Sequence, residues 1–108
     1  KTIRATMGSI FRVPFVYVPE LSPVLTQMHE KGIHTYAAHL KGQKYYDSFS
    51  FREPTAFLIG NEGNGLTKEI SDQAGQYLKI PMEGKVESLN ASIAAALLMY
   101  EAHRQRNL

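Results

Sequence analysis

The sequence predicts an α/β domain with a mostly parallel sheet flanked by helices, and three observations carry that reading. Segments rich in β-branched and aromatic residues alternate with segments of helical spacing in the order β-α-β-β-β-α. The run Thr55-Ala56-Phe57-Leu58-Ile59 is continuously apolar and residues 77–80 read as another strand, so strands near Phe57 and Leu78 are expected to be buried on both faces of a parallel sheet. The length of 108 residues suits one domain, because ordinary domains run to about 100 to 200 residues and a split would leave cores too small to stand alone.

Taken in order, residues 1–8 have mixed helical potential ending at Gly8, a natural left-handed stop. The apolar stretch 11–18 is broken by Pro14 and closed by Pro19, which leaves a short strand around 15–18. Ser22 followed by Pro23 reads as an N-cap with proline at the first helical position. Val24, Leu25 and Met28 keep helical spacing and Gly32 stops the chain, so a helix is predicted over 23–31. Residues 33–40 suit a strand, 41–44 a polar turn, and the aromatic stretch 45–51 a loop or sheet edge.

The second half is more regular. The strand at 55–59 runs into a glycine-rich loop, Gly60 to Gly65, and then into a short polar helix from near Thr67. Residues 77–80 read as a strand and 81–87 as a loop. Ser88 caps a final helix that carries Leu89, Ile93, Ala96, Leu97 and Tyr100 on one stripe. There is no internal repeat.

Composition removes several classes of function. Twelve Lys and Arg against ten Asp and Glu give a net charge of +2, and charged residues make up 20% of the chain against 44% hydrophobic, an ordinary globular balance that identifies no partner. The absence of cysteine excludes disulfides, thiolate catalysis, iron–sulfur clusters and cysteine-based zinc sites. The four histidines lack HxxxH or HxH spacing, so no metal site is expected. The longest apolar stretch, 93–100, is far short of the roughly 20 residues of a membrane-spanning helix, and no export signal opens the chain. A cytoplasmic location without membrane contact is the expectation.

Two segments carry candidate chemistry. In Gly60-Asn61-Glu62-Gly63-Asn64-Gly65-Leu66, glycines between strand and helix expose backbone N–H groups and allow a ligand to approach closely; a glycine turn without a ligand has the same appearance. The spacing Gly60-x-x-x-x-Gly65 matches a P-loop, but Leu66-Thr67 stands where Lys-Ser/Thr must hold phosphate and Mg²⁺. Gly63-x-Gly65 could open a dinucleotide fingerprint, but Lys68 occupies the third glycine position. Glu62 within the loop can bond local N–H groups, orient an arginine or receive a proton. In the second segment, Ile80-Pro81-Met82 leads to Ser88-Leu89-Asn90 at a helix start, where Ser88 and Asn90 either serve a site or cap the helix.

Taken together, Phe57-Leu58-Ile59-Gly60-Asn61-Glu62-Gly63-Asn64-Gly65-Leu66, Ile80-Pro81-Met82 and Ser88-Leu89-Asn90-Ala91-Ser92 resemble the second and third motifs of the SpoU (TrmH) family of RNA 2′-O-ribose methyltransferases. The opening Arg4-Ala5-Thr6-Met7-Gly8-Ser9-Ile10-Phe11-Arg12 is similar to the segment that precedes those motifs. The resemblance implies the α/β-knot fold, with a C-terminal trefoil knot that no periodicity could suggest. It further implies S-adenosylmethionine as cofactor, tRNA or rRNA as partner, and a homodimer. By motif position Gly60, Ile80, Met82 and Leu89 would contact the cofactor, and Glu62, Ser88 and Asn90 would be the catalytic polar residues, orienting the nucleophile and its partners without a metal.

One departure stands out. The family's first motif, Asn-x-Gly-x-x-x-Arg, does not occur in this sequence, and Arg4 and Arg12 lie in a different motif context. The chain is therefore expected to be a C-terminal portion of the catalytic domain, with the motif arginine upstream of Lys1. The competing expectation is a non-catalytic knotted module for RNA binding or dimerisation.

Overall fold

The computed structural model describes residues 13–38, 44–60, 66–80 and 91–108. Helix α1 spans Ser22–Glu30, strand β1 His34–Ala38, a 3-10 turn Tyr46–Ser48, strand β2 Thr55–Leu58, helix α2 Lys68–Gln73, strand β3 Gln76–Leu78 and helix α3 Ala91–Arg106. The three strands form one parallel sheet in the order β2-β1-β3. Tyr36 pairs with Phe57 on one side and Gln76 on the other, while Ala37 pairs with Leu58 and Tyr77.

This register puts alternate residues on opposite faces. Leu25 and Met28 of α1, with Leu66, Ile70 and Ala74 around α2, cover Ala37, Leu58 and Tyr77. On the other face Leu98 and Ala102 of α3 pack with Tyr36, Phe51 and Leu78, joined by Phe57, Ile59 and Ile80. The domain is thus a parallel sheet between helical layers, as the alternation of the sequence predicts. The expected knot depends on threading through residues 81–90, which lie outside the described residues, as do 1–12, 39–43 and 61–65.

Local chemistry explains the helix ends. α1 has proline in its first turn and ends where the Ile33 N–H donates to the Met28 carbonyl at 2.9 Å, with Gly32 at φ +79° completing a left-handed stop. Ser22 is the first helical residue rather than the cap; its hydroxyl accepts from the Gln73 side-chain amide at 2.9 Å and ties α1 to α2. Thr67 caps α2 by accepting from the Ile70 N–H at 3.3 Å.

Two further expectations are corrected, for residues 15–18 and for the stripe of α3. Residues 15–18 form no strand: they are exposed and unpaired with the sheet, and Pro14 and Pro19 deprive the segment of backbone donors at both ends. The stretch 45–51 is loop and sheet edge as expected, with its 3-10 turn and a bridge from Tyr45 to Lys79, and it also contributes to the core, because Phe51 is fully buried and packs edge-to-face with Tyr36 (5.0 Å) and Phe57 (4.9 Å).

On α3 the predicted stripe faces outward: Ile93 and Tyr100 are 52% and 75% exposed, and Ala96 and Leu97 are exposed as well, while Leu89 lies outside the described residues. The inward face is Ala94, Leu98, Glu101, Ala102 and Gln105. Small alanines let the helix sit close to the aromatic cluster; of the two buried polar residues, Gln105 finds partners in the 49–51 segment and Glu101 is held by Arg104 and Gln105 of the same helix. Gln105 accepts from the Phe51 N–H at 2.6 Å and donates to the Phe49 carbonyl at 2.9 Å, and Arg106 donates to the carbonyls of Phe51 and Glu53.

Candidate functional site

Parallel strands bring their C-terminal ends to one edge, and in open α/β sheets ligands bind outside that edge. Leu58 and Leu78 flank β1 at Ala37 and Ala38, so the chain leaves β2 and β3 at the same level of the sheet. Gly60 lies two residues beyond the end of β2 and Ile80 two beyond the end of β3, both partly buried. Ile80 packs against the cluster of Tyr36, Phe51 and Leu78, which directs its side chain into the apolar layer under α3. The structure thus sets the two described residues of the expected cofactor site at the same edge of the sheet, on strands separated by β1. Glu62, Met82, Ser88, Leu89 and Asn90 lie outside the described residues.

A third chain segment reaches this edge. The Lys79 N–H donates to the Lys44 carbonyl and the Tyr46 N–H to the Lys79 carbonyl, each at 2.9 Å, so Tyr45 and Lys79 form a parallel bridge at the end of β3. The Lys79 ammonium lies over the Tyr45 ring, 6.0 Å from its centroid. Only the aromatic character of 45–51 hints at this in the sequence; the pairing is a tertiary contact with no local signature.

Two other features sit away from the edge. A groove of about 510 Å³ separates β2 from α3, lined by Thr55, Phe57, Ile59, Met99, His103 and Arg106 among others. On α3, Arg104 pairs with Glu101 through Nε and Nη2 at 2.8 and 2.9 Å. That contact and the hydrogen bond from Gln105 hold the Glu101 carboxyl down at about 2, against an ordinary 4.5. Among the described residues, no group of three or more His, Asp or Glu could hold a metal ion, and no helix is long and apolar enough to cross a membrane.

Comparison with known proteins matches residues 1–100 to the SpoU rRNA Methylase family. The chain is 38% identical over 104 residues to YacO of Bacillus subtilis (strain 168), described as a TrmH family tRNA/rRNA methyltransferase, covering 96% of this chain and 42% of that relative. It therefore spans less than half the length of that curated relative. Among solved structures, an RNA 2′-O ribose methyltransferase superposes with a TM-score of 0.87 at 35% identity, covering 98% of this chain and 41% of that one. The SpoU methyltransferase AviRb from Streptomyces viridochromogenes, in complex with AdoMet, superposes with a TM-score of 0.88 at 34% identity, covering 97% and 44%.

Proposed function

Because this chain belongs to the SpoU rRNA methylase family, we propose that it forms the cofactor-binding part of an S-adenosylmethionine-dependent methyltransferase acting on a ribose 2′-OH of tRNA or rRNA. The observation that carries the reading is that Gly60 and Ile80 follow the C-terminal ends of β2 and β3, the two parallel strands on either side of β1, at one edge of the sheet. Such an edge offers a cofactor partly buried apolar walls and free backbone groups, which suits an adenine and a sulfonium chain better than a charged pocket would. AdoMet in AviRb and the 2′-O ribose specificity of the other structural relative support the same assignment here.

When bound, the cofactor supplies an electrophilic methyl group. The chain's part is to place that group in line with the 2′-oxygen and to help remove a weakly acidic proton. Gly60, without a side chain, allows the close approach; Ile80 offers its backbone beside an apolar wall, and Met82 and Leu89 would complete the pocket. Glu62, Ser88 and Asn90 would orient the ribose hydroxyl and its partners. The outward face of α3, with Ile93, Met99 and Tyr100 exposed, is apolar enough to bury against a second copy, which supports a homodimer.

Calorimetric titration of S-adenosylmethionine, followed by labelled methyl transfer to tRNA and rRNA and nucleoside analysis, tests the reading. Cofactor binding with label on a ribose is the expected result. No binding overturns the cofactor assignment, and label on a base overturns the ribose specificity. Binding without transfer to either RNA favours the non-catalytic module.

A further inference from the structure

We propose that Lys44, Tyr45 and Lys79 form an RNA-binding surface at the end of β3, with the Tyr45 ring as a stacking platform for an unpaired base and the two lysines holding adjacent phosphates. The backbone bridge fixes the tyrosine: hydrogen bonds of 2.9 Å on either side of it tie residues 44 and 46 to Lys79. Tyr45 nevertheless remains 48% exposed. Lys44 is exposed and Lys79 partly so, with its ammonium 6.0 Å from the ring centroid. The acid in the same segment, Asp47, has its charge opposed by Arg104.

An anchored aromatic ring with an ammonium over it and an exposed lysine next to it in sequence is suited to unstacked nucleotides: bases stack on the ring and phosphates meet the cations. Position adds to the argument, because Lys79 immediately precedes Ile80. A nucleotide on Tyr45 would therefore lie at the rim of the edge where the proposed cofactor site opens. This inference rests on RNA being the substrate and assigns part of the surface that holds it.

The test is affinity for a single-stranded oligoribonucleotide of mixed sequence, measured by fluorescence anisotropy over a range of salt, with cofactor affinity measured in parallel. Tyr45→Ala is expected to weaken RNA binding by about ten-fold, within the range that loss of one base–aromatic stack gives. Tyr45→Phe keeps the ring and is expected to retain affinity. Lys44→Ala and Lys79→Ala are each expected to lower the slope of log affinity against log salt by about 0.7, the loss of one phosphate contact to a single strand. Cofactor affinity stays unchanged in all four variants. Wild-type affinity in Tyr45→Ala, equal losses in the Phe and Ala variants, or unaltered salt slopes would overturn the surface. So would a wild-type chain that binds cofactor but not this RNA, whereas failure to bind either would overturn the methyltransferase reading with it.

Discussion

The side-chain carbonyl of Gln105 accepts a 2.6 Å hydrogen bond from the backbone N–H of Phe51, joining the last turn of α3 to a fully buried aromatic residue. The same amide donates to the Phe49 carbonyl and to Glu101. Gln105→Ala removes all three contacts and strands a buried N–H. Each buried group left unsatisfied costs about 1–3 kcal/mol, so a loss of about 2–4 kcal/mol in urea denaturation is expected.

Thr35 plays a similar part on the opposite face. Its buried hydroxyl accepts from the Gly75 N–H at 2.8 Å and meets His29 Nε2 at 2.8 Å, connecting α1, β1 and the turn before β3. Thr35→Val keeps the shape and deletes the oxygen, with an expected cost of about 1–3 kcal/mol. Thr35→Ser keeps the oxygen and loses one methyl, about 0.8 kcal/mol. Thermal unfolding of the two variants, with Val melting below Ser, checks the assignment.

Glu101 makes stability depend on pH. Its carboxyl is held at about 2 by Arg104 and then Gln105, below the ordinary 4.5, so ionisation favours the folded chain. That contribution is fully present above about pH 4.5 and fades as the pH falls toward 2. Glu101→Gln is expected to lower the melting temperature at pH 7, and the gap from wild type is expected to narrow between pH 4.5 and 2. A constant gap would assign the effect to packing alone.

At the proposed cofactor edge, Gly60→Leu introduces a bulky side chain two residues beyond β2. Affinity for S-adenosylmethionine is expected to fall below calorimetric detection, with the circular dichroism spectrum unchanged. Unaltered affinity would remove Gly60 from the pocket.

The sheet was legible in the sequence because residues 55–59 form a continuous apolar run of strand length and Leu78 centres a second strand-like segment at 77–80. The end of α1 was equally legible, since Gly32 is placed where only a left-handed residue closes the helix. The orientation of α3 was not legible. Residues 93–100 are apolar all round, and the side chosen for burial depends on the partners that Phe49 and Phe51 give Gln105, a contact more than fifty residues away along the chain. The 15–18 segment misled for a related reason: strand character is only a capacity, and β pairing requires a neighbour. For the candidate site, the motif spacing singled out Gly60 and Ile80, which the fold sets at one edge of the sheet, while nothing local marked Tyr45, whose place is decided by Lys79.

The central strand also bears on how the chain is made. Among the described residues β1 receives β2 and then β3, and β3 is the last of these three strands to leave the ribosome, with residue 76 following residue 38 only after the whole of α2 has been synthesised. Until then, one flank of β1 and the backbone of Lys44 to Tyr46 have no mates, and the nascent chain presents an open β edge. Closing so long a loop late in synthesis makes folding slow for a chain of this size and exposes it to mispairing with other nascent copies.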